Sequence, residues 1–298
     1  MKKNLPLIAA IVIAFAACKK EDSFSPTTGS SESVQKLISV NSSLSMPTSF
    51  TKKVMVEEFV GTGYGDSPEI IRLLNAVSPS VKQRIVYVAH HNNDILESQA
   101  TDPLVTSLST FGSAGYPSAT FDRSPVNGHR MIGCTFFNAA LSQELNKPAS
   151  CGMTMQSEMQ NRKVIVDINT GFSTGMNGNY KIFVYVTEDR ITGLPAYAQS
   201  NNFNNTLKSP FYHAGNPMTE FTHNSVMRFC ATSNGISLPV SKVAGSIDHE
   251  QVMFDLPSSC NVANCSIVAF VCRMNSSGGP EEILNVQSAK IGAVQGWN

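Results

Sequence analysis

The sequence predicts a fold in two parts, an α/β domain followed by an antiparallel β-sandwich. An apolar run at 54–60 passes through a glycine-rich turn into a helical pattern that begins near Pro68. After residue 149 the chain consists of short alternating runs separated by Gly, Asn and Ser. With 298 residues the chain is long enough for two domains of about 100–150 residues each.

The first predicted unit is a strand, a tight turn and a helix. The run Val54–Val60 is mostly apolar, which indicates a buried strand, and Gly61, Gly63 and Gly65 interrupt it. Pro68 suits the first position of a helix because its missing N–H would have no partner there. Apolar residues then recur with helical spacing, at Ile70, Ile71, Leu73, Leu74 and Val77. The helix therefore points the partial positive charge of its N-terminus into the turn.

The remaining elements of the first part alternate in type. The run 84–91, RIVYVAHH, is β-branched and aromatic, as is typical of a buried strand. The next elements predicted are a helix, a strand and a helix, over 102–111, 118–122 and 131–146. Lys147-Pro148 marks the predicted boundary, so the first domain is expected to span residues 51–148.

The second part shows the period of two that half-buried strands require. Val164, Val166 and Ile168 share one face of their run. Seven such runs occur, at 152–159, 162–170, 180–188, 224–231, 251–256, 266–274 and 282–291. This pattern predicts an immunoglobulin-like antiparallel β-sandwich over residues 149–298. The longest interruption, 191–223, is expected to be functional or mobile because loops of that length are uncommon in compact domains.

The N-terminus carries an export signal. Lys2 and Lys3 precede an apolar run from Leu5 to Ala17 that is too short for an ordinary membrane span and suits a signal peptide, predicted as residues 1–17. The sequence Phe15-Ala16-Ala17-Cys18 resembles a lipoprotein lipobox, which implies cleavage before Cys18 and lipid attachment to its thiol. The alternative is a plain signal peptide.

Residues 18–50 are rich in Ser and Thr and are predicted to form a flexible tether. Lys19-Lys20-Glu21-Asp22 resembles the signal that sends lipoproteins to the outer surface, the alternative being a solvated charge cluster. Lys+Arg and Asp+Glu are 22 each, and removing Lys2 and Lys3 leaves 20 against 22, a net −2. Without a basic cluster, nucleic acid is not an expected partner, and the lipid is expected to hold the protein on the membrane.

The mature chain keeps six cysteines, namely Cys134, Cys151, Cys230, Cys260, Cys265 and Cys272. An even number in an exported protein permits disulfides, and Cys260 with Cys265 is the favoured pair because the two flank a short polar turn. Cys230 and Cys272 either pair across a sheet or are buried apolar residues. No C-x-x-C and no zinc spacing occurs in the sequence, so neither a metal nor a cofactor is predicted.

The stretch 57–68, EEFVGTGYGDSP, resembles the strand–turn–helix of thioredoxin-like proteins, which reads EEFTGxWCxxCP in the Omp28-related outer-membrane lipoproteins of Bacteroidetes-type bacteria. Tyr64 occupies the place of the attacking cysteine and Ser67 that of the resolving cysteine. Glu58 falls where thioredoxins keep a buried acid that assists proton transfer. Pro117, in AGYPSATFDR, falls at the cis-proline that faces the motif in that fold.

The resemblance implies a fold that has lost its redox chemistry, because disulfide exchange at this site requires two thiols. It also implies a shallow groove for an extended peptide or protein partner. The residues expected at this groove are Glu58, Tyr64, Asp66, Ser67, Tyr116 and Pro117. The expected protein is lipid-anchored in the outer membrane, exposed at the surface, and has a binding or structural role without catalytic residues.

Two alternatives remain open at this stage. One is a thiol–disulfide oxidoreductase with a rearranged cysteine pair, such as Cys134 with a cysteine of the second part. The other is a scaffold within a larger envelope complex. Strand alternation places Glu57 and Glu58 on opposite faces, so the two cannot flank one bond as an acid–base pair. The same reasoning argues against a metal shared by His90 and His91.

Overall fold

The computed structural model describes residues 44–109 and 115–298 and shows a mixed α+β protein that is mostly β. The predicted signal peptide, Cys18 and most of the predicted tether lie outside the described residues. The last tether residue, Phe50, already forms a β-bridge with Ala149. No helix in the described part of the chain is long and apolar enough to cross a membrane.

The strands of the described residues are β1 Val54–Val60, β2 Ile85–His91, β3 Ser118–Phe121, β4 Cys151–Gln160, β5 Lys163–Phe172, β6 Met176–Asn177, β7 Tyr180–Glu188, β8 Val226–Cys230, β9 Ile236–Ser237, β10 Ser241–Lys242, β11 Ile247–Asp255, β12 Cys265–Met274, β13 Pro280–Lys290 and β14 Val294–Gln295. The helices are α1 Pro68–Ala76, α2 Pro79–Lys82, α3 Thr101–Ser109 and α4 Phe137–Leu145, with 3-10 turns at Cys134–Phe136, Pro195–Tyr197 and Val262–Asn264.

One large sheet runs through both predicted parts of the chain, in the order β13-β12-β7-β8-β2-β1-β3, with β9 paired to β7. β1 is parallel to β2 and antiparallel to β3. β8 joins the two halves, because Val226 pairs with Ala89 of β2 and with Glu188 of β7. The sequence pattern did not indicate this shared sheet. The domain boundary after Pro148 stays a prediction.

A second sheet, in the order β11-β5-β4-β14, packs against the β7–β12 half of the first sheet. The predicted apolar face of β5 lies in this interface, where Val164 and Val166 are fully buried. Ile182 and Val184 of β7 contribute to the same core from the opposite sheet. Burying each such side chain stabilises the fold by about 1.5–3 kcal/mol, so this interface is a main source of stability.

Helices cover the other end of the large sheet. Ile70 of α1 and Phe137 of α4 pack with Val56 and Phe121 of β1 and β3. The rings of Phe121 and Phe137 meet edge to face, with centroids 5.3 Å apart. This layer fixes α1 against β1 and thereby holds the turn between them in place.

The helix predicted over 131–146 is shorter than expected. Ile132 exchanges two backbone hydrogen bonds with Ala119, both of 2.9 Å, and so extends the edge of the sheet beside β3. Regular helix therefore begins only at Phe137, after the 3-10 turn at Cys134–Phe136. The prediction for residues 131–136 was wrong because helical spacing of apolar residues does not exclude a strand bridge stabilised by distant pairing.

A buried ion pair lies where the two parts of the sheet meet. The Arg123 guanidinium donates to both carboxylate oxygens of Glu57, from Nε at 2.7 Å and Nη2 at 2.8 Å, and also to the Tyr185 hydroxyl at 3.0 Å. His90 Nε2 lies 3.2 Å from the same carboxylate. Burial alone would raise the pKa of Glu57, but Arg123 and His90 outweigh it and bring the pKa to about 2.

Candidate functional site

The turn after β1 presents one tyrosine at its tip. The Tyr64 N–H donates to the Gly61 carbonyl at 3.0 Å, and the Ser67 N–H donates to the Tyr64 carbonyl at 3.1 Å. Gly61 is needed for close approach, because a Cβ there would lie 2.7 Å from the Asn92 carbonyl and 2.9 Å from the Tyr64 ring. Pro68 is the first residue of α1, as predicted.

The second half of the site is the loop before β3. The Tyr116–Pro117 peptide bond is cis, as the resemblance implied. The rings of Tyr64 and Tyr116 stack with centroids 5.2 Å apart and planes 17° apart. The structure therefore brings together the predicted residues Tyr64, Tyr116 and Pro117, and we call their half-exposed surface the tyrosine face.

Amide and carboxylate groups surround the tyrosine face. The Tyr64 hydroxyl lies 3.4 Å from Asn92 Oδ1 and 3.4 Å from Asn93 Nδ2. The Asn92 amide also donates to Asp102 at 3.2 Å. Burial, the neighbouring Tyr64 and the Asp102 carboxylate raise the pKa of Tyr116, in that order of effect. This combination of stacked rings and hydrogen-bonding groups suits recognition better than acid–base chemistry.

Ser67 occupies the position of the resolving cysteine but forms no nucleophile–base pair. Its side chain is buried, and its hydroxyl donates to the Gly61 carbonyl at 3.4 Å. Ser67 lines a small cavity of about 20 Å³, and His91 and His223 line it too. Among residues 44–109 and 115–298, no hydrogen bond joins Ser67 to either histidine. A nucleophilic serine needs such a base within reach, so this geometry does not activate it.

Sequence analysis considered His91 only as a metal ligand and did not place it or His223 beside Ser67. His91 Nδ1 lies 2.7 Å from an Asp94 carboxylate oxygen, and His223 Nε2 lies 2.8 Å from the Tyr197 carbonyl. The two rings meet edge to face at 5.1 Å. Burial lowers the pKa of His223 to about 4, so its ring is neutral at pH 7. His91 lies close in sequence, but only the fold brings His223 beside it.

Glu58 is buried, as the resemblance implied. It lies on the opposite face of β1 from Glu57 and accepts a hydrogen bond from the Tyr87 hydroxyl. Its Oε1 has no hydrogen-bond partner among the described residues. Burial raises the pKa of Glu58 to about 8, against a smaller opposing effect of Tyr87. The side chain is therefore mostly protonated at pH 7 and lies inside the protein rather than at the groove surface.

The long insertion 191–223 folds back onto the turn. The Gln199 amide donates to the carbonyls of Tyr64, at 3.0 Å, and Gly61, at 3.3 Å. The Ser200 N–H donates to the Thr62 carbonyl at 2.8 Å. We call residues 199–202 the strap. The strap satisfies turn carbonyls that an open groove would present to a ligand.

The strap also covers part of the predicted groove. The Asn202 N–H donates to the Gly65 carbonyl at 2.9 Å, and the Asn202 amide donates to the Asp66 carboxylate at 2.9 Å. Asp66 is thus partnered within the chain, and Ser67 is buried beneath the turn. Of the groove residues predicted, Tyr64, Asp66, Tyr116 and Pro117 are accessible, although the Asp66 carboxylate is hydrogen-bonded to the strap, whereas Glu58 and Ser67 are buried.

Replacing Gly65 with alanine should loosen the strap at Asn202. A Cβ at Gly65 would overlap the Asn202 side chain amide, while the backbone there needs no left-handed conformation. We expect a loss of about 1–2 kcal/mol in unfolding free energy, since two hydrogen bonds are disturbed. Hydrogen exchange of the Ser200 and Asn202 amides should accelerate in the variant.

Two further variants control this experiment. Gly63→Ala should leave exchange unchanged, because a Cβ at that position meets nothing within 4 Å. Adding Asn202→Ala to Gly65→Ala removes the overlapping amide and should restore protection of Ser200. Unchanged exchange in the single Gly65 variant would show that the strap does not depend on this contact.

The six cysteines of the described residues are free thiols. Cys260 and Cys265, the predicted disulfide pair, lie close together but unbonded. Cys272 is fully buried, and its thiol contacts the Arg273 carbonyl at 3.3 Å, in keeping with a structural role. Cys134 lies near α4, and burial followed by the charge of Glu58 raises its pKa to about 11.

The fold and the site define a mixed α+β protein whose cis-proline loop and glycine turn meet without a cysteine pair. Residues 105–295 match the sequence model of the family described as outer membrane protein Omp28. The chain belongs to the Omp28 family. The family's description as an outer membrane protein indicates a cell-surface protein.

Solved structures give the same fold at low sequence identity. HBP35 of Porphyromonas gingivalis is similar with a TM-score of 0.63 and 16% identity, over 83% of this chain and 78% of that one. The protein AGR_C_4864 from Agrobacterium tumefaciens has a TM-score of 0.52 and 13% identity, over 82% of this chain and 96% of that one. No curated protein matches the sequence.

A domain of the outer membrane lipoprotein Omp28 from Porphyromonas gingivalis shows 17% identity over 48% of this chain and 89% of that one, with a TM-score of 0.30.

Proposed function

We propose that this chain is a lipid-anchored cell-surface protein that binds an extended polypeptide at the tyrosine face and performs no thiol chemistry there. The observation that carries the proposal is the stack of Tyr64 on Tyr116 beside the cis peptide bond at Pro117. Two half-exposed aromatic rings provide apolar contact area with little loss of side-chain freedom. The amides of Asn92 and Asn93 supply hydrogen-bonding groups at the rim.

The finer fold assignment belongs to the same proposal. A thioredoxin-like first part is supported by parallel β1 and β2, by α1 directly after the turn, and by Pro117 before β3. An immunoglobulin-like second part is supported by the antiparallel sheets that enclose the core of β5 and β7. In this arrangement the first part provides the binding face and the second part provides the larger core.

We expect no redox activity at the turn because of the side chains that it carries. Tyr64 and Ser67 supply no thiol, and the exchange reaction needs two. Cys134 is a poor substitute because its raised pKa keeps it protonated, and the thiolate is the reactive form. We expect the reduced protein to leave insulin disulfides intact, whereas an enzyme with a rearranged pair that includes Cys134 would reduce them.

The binding proposal is tested with a displayed library of unstructured peptides selected on the mature protein without lipid. Tyr116→Ala should weaken binding of the selected peptides by about tenfold or more, since a central aromatic contact contributes about 1.4 kcal/mol or more. Tyr64→Ala should have a similar effect because it removes the other ring of the stack. Titration by fluorescence anisotropy gives the dissociation constants.

Tyr212→Ala is the matched control. This tyrosine is exposed and stacks on His213 in the long insertion, outside the tyrosine face. Its removal should not change the affinity of the selected peptides. If Tyr64→Ala and Tyr116→Ala bind the peptides as well as the wild type does, the tyrosine face is not the binding site.

Lipid attachment at Cys18 is the proposed means of membrane association. The support is the sequence Phe15-Ala16-Ala17-Cys18 and membership of a family described as an outer membrane protein. Cys18→Ser should move the protein out of the membrane fraction, whereas Cys134→Ser should leave it there. Protease added to intact cells should degrade the wild-type protein if the membrane-bound form faces outward.

A further inference from the structure

Cys260 and Cys265, which are far in sequence from the glycine turn after β1, lie together at the start of β12. Cys260 is 4% exposed and Cys265 is fully buried. The 3-10 turn Val262–Asn264 brings the chain back between them. The two sulfur atoms and a carboxylate oxygen of Glu188 lie within 4.8 Å of one another. The spacing in sequence suggested that the two cysteines pair, but it did not reveal the charged groups beside them.

The backbone on both sides of this thiol pair is held in place. Cys265 pairs with Glu188 in the register of β12 and β7. The Cys260 carbonyl accepts a hydrogen bond from Arg162 Nη2 at 3.1 Å, and the Cys260 N–H donates to the Pro257 carbonyl at 3.0 Å. The approach of the two sulfurs is therefore fixed by the sheet and by Arg162 rather than by a loose turn.

The surroundings make the two thiols unequal. The Cys265 thiol donates to the Asn261 carbonyl at 3.2 Å. Interaction with the neighbouring Cys265 thiol, followed by the Arg228 guanidinium, lowers the pKa of Cys260. Interaction with Cys260, followed by burial, raises the pKa of Cys265. Arg228 is itself held by Glu188, with Nε 3.2 Å from the carboxylate. Cys260 is thus the more easily ionised of the two thiols.

We propose that Cys260 and Cys265 form a redox-modification site, a dithiol that small-molecule disulfides convert reversibly into an intramolecular disulfide. The Cys260 thiolate attacks one sulfur of the small disulfide, forms a mixed disulfide and releases the other half as a thiolate. That thiolate takes the proton of Cys265. The Cys265 sulfur then attacks Cys260 and releases the second half, so two electrons pass to the small disulfide.

A metal ion fits this cluster less well than a disulfide does. The Glu188 carboxylate is already occupied on both oxygens, by Arg228 and by the Asn261 N–H at 2.8 Å. The Arg228 charge would oppose a cation, and the cluster offers three ligands where a structural zinc site usually has four. An exported protein also meets an oxidising environment, in which thiol pairs commonly form disulfides.

The experiment treats the reduced, folded mature chain with glutathione disulfide, quenches with acid and maps the products by peptide mass. We expect a Cys260–Cys265 disulfide as the product. Cys265→Ser should stop at one glutathione attached to Cys260. Cys260→Ser should react at least about tenfold more slowly, because the remaining thiol is protonated. Cys272→Ser, which removes a buried thiol elsewhere, should behave as the wild type does.

Arg228 provides a second readout. Arg228→Gln should raise the pH at which Cys260 is half-alkylated by iodoacetamide, and Arg228→Lys, which keeps the charge, should shift it less. Glu188 and Cys265 are the other titratable groups that face Cys260, so Glu188→Gln is measured in parallel. Arg273→Gln, at a half-exposed surface pair, is the control.

Three results would overturn the proposal. One is that the folded chain fails to react with glutathione disulfide although the urea-unfolded chain does. Another is attachment of glutathione to Cys265 in the wild type before any reaction at Cys260. The third is one zinc ion retained per chain together with resistance to oxidation. None of these results depends on peptide binding at the tyrosine face.

Discussion

Arg123→Met should reduce the unfolding free energy by about 3–5 kcal/mol, because it leaves the Glu57 carboxylate buried without its cation. Both side chains are almost completely inaccessible to solvent, and the pair is bidentate. His90 Nε2 is the other group beside Glu57, and a single imidazole cannot replace both guanidinium hydrogen bonds. Urea unfolding followed by circular dichroism measures the change.

The double variant Glu57→Leu with Arg123→Met distinguishes loss of the pair from loss of packing. Replacing both charges with apolar groups should recover most of the stability, since a buried pair contributes little beyond the cost of desolvating it. Arg72→Met is the surface control. Arg72 pairs with Glu69 at 2.5 Å but is 39% exposed, so we expect a change of at most about 1 kcal/mol. Full loss of stability in the double variant would contradict the electrostatic explanation.

Some parts of the fold could be predicted from the sequence, whereas others, including this ion pair, could not. Local periodicity located β5 and β7 closely, because apolar residues that share one face of a strand recur with a period of two. A continuous apolar run located β1. Periodicity could not show that β8 bridges the two predicted parts, since Val226 meets Ala89 across more than a hundred residues of chain. Arg123 likewise gave no local sign that it would meet Glu57.

The candidate site also has one part that the sequence could predict and one part that it could not. The turn and its cis-proline partner were predictable because Gly61, Tyr64 and Pro117 lie in short motifs with a known fold. The strap could not be predicted, because its contacts come from Gln199 and Asn202 in a segment without periodicity. The only sign was the length of the insertion.

Glu58 gives the largest expected pH dependence. Its pKa is about 8 in the folded protein, against 4.5 for the unperturbed group, so between these values the folded state holds a proton that the unfolded state releases. Stability is therefore fully present below about pH 4.5 and is lost as the pH rises through 8. The difference corresponds to a loss on the order of 4–5 kcal/mol. Asp122, with a pKa raised to about 6 by burial, acts in the same direction over a narrower range.

Glu57 has the opposite effect at the acid end. Its pKa of about 2 lies below the unperturbed value of 4.5, so its contribution is present above pH 4.5 and is lost as the pH falls through 2. The two neighbouring glutamates of β1 therefore place the stability maximum near the pH at which one is ionised and the other is still protonated. On these shifts, that maximum should lie near pH 4–5.

Glu58→Gln tests this assignment directly, because glutamine keeps a hydrogen-bonding partner for Tyr87 and cannot ionise. The variant should lose most of the decline in stability between pH 5 and pH 9 and become more stable than the wild type at the alkaline end. Glu220→Gln, at an exposed position, should follow the wild-type curve. A decline as steep in Glu58→Gln as in the wild type would mean that another group releases the proton. Asp122→Asn would then be the next variant to measure, since Asp122 is the other buried carboxyl with a raised pKa.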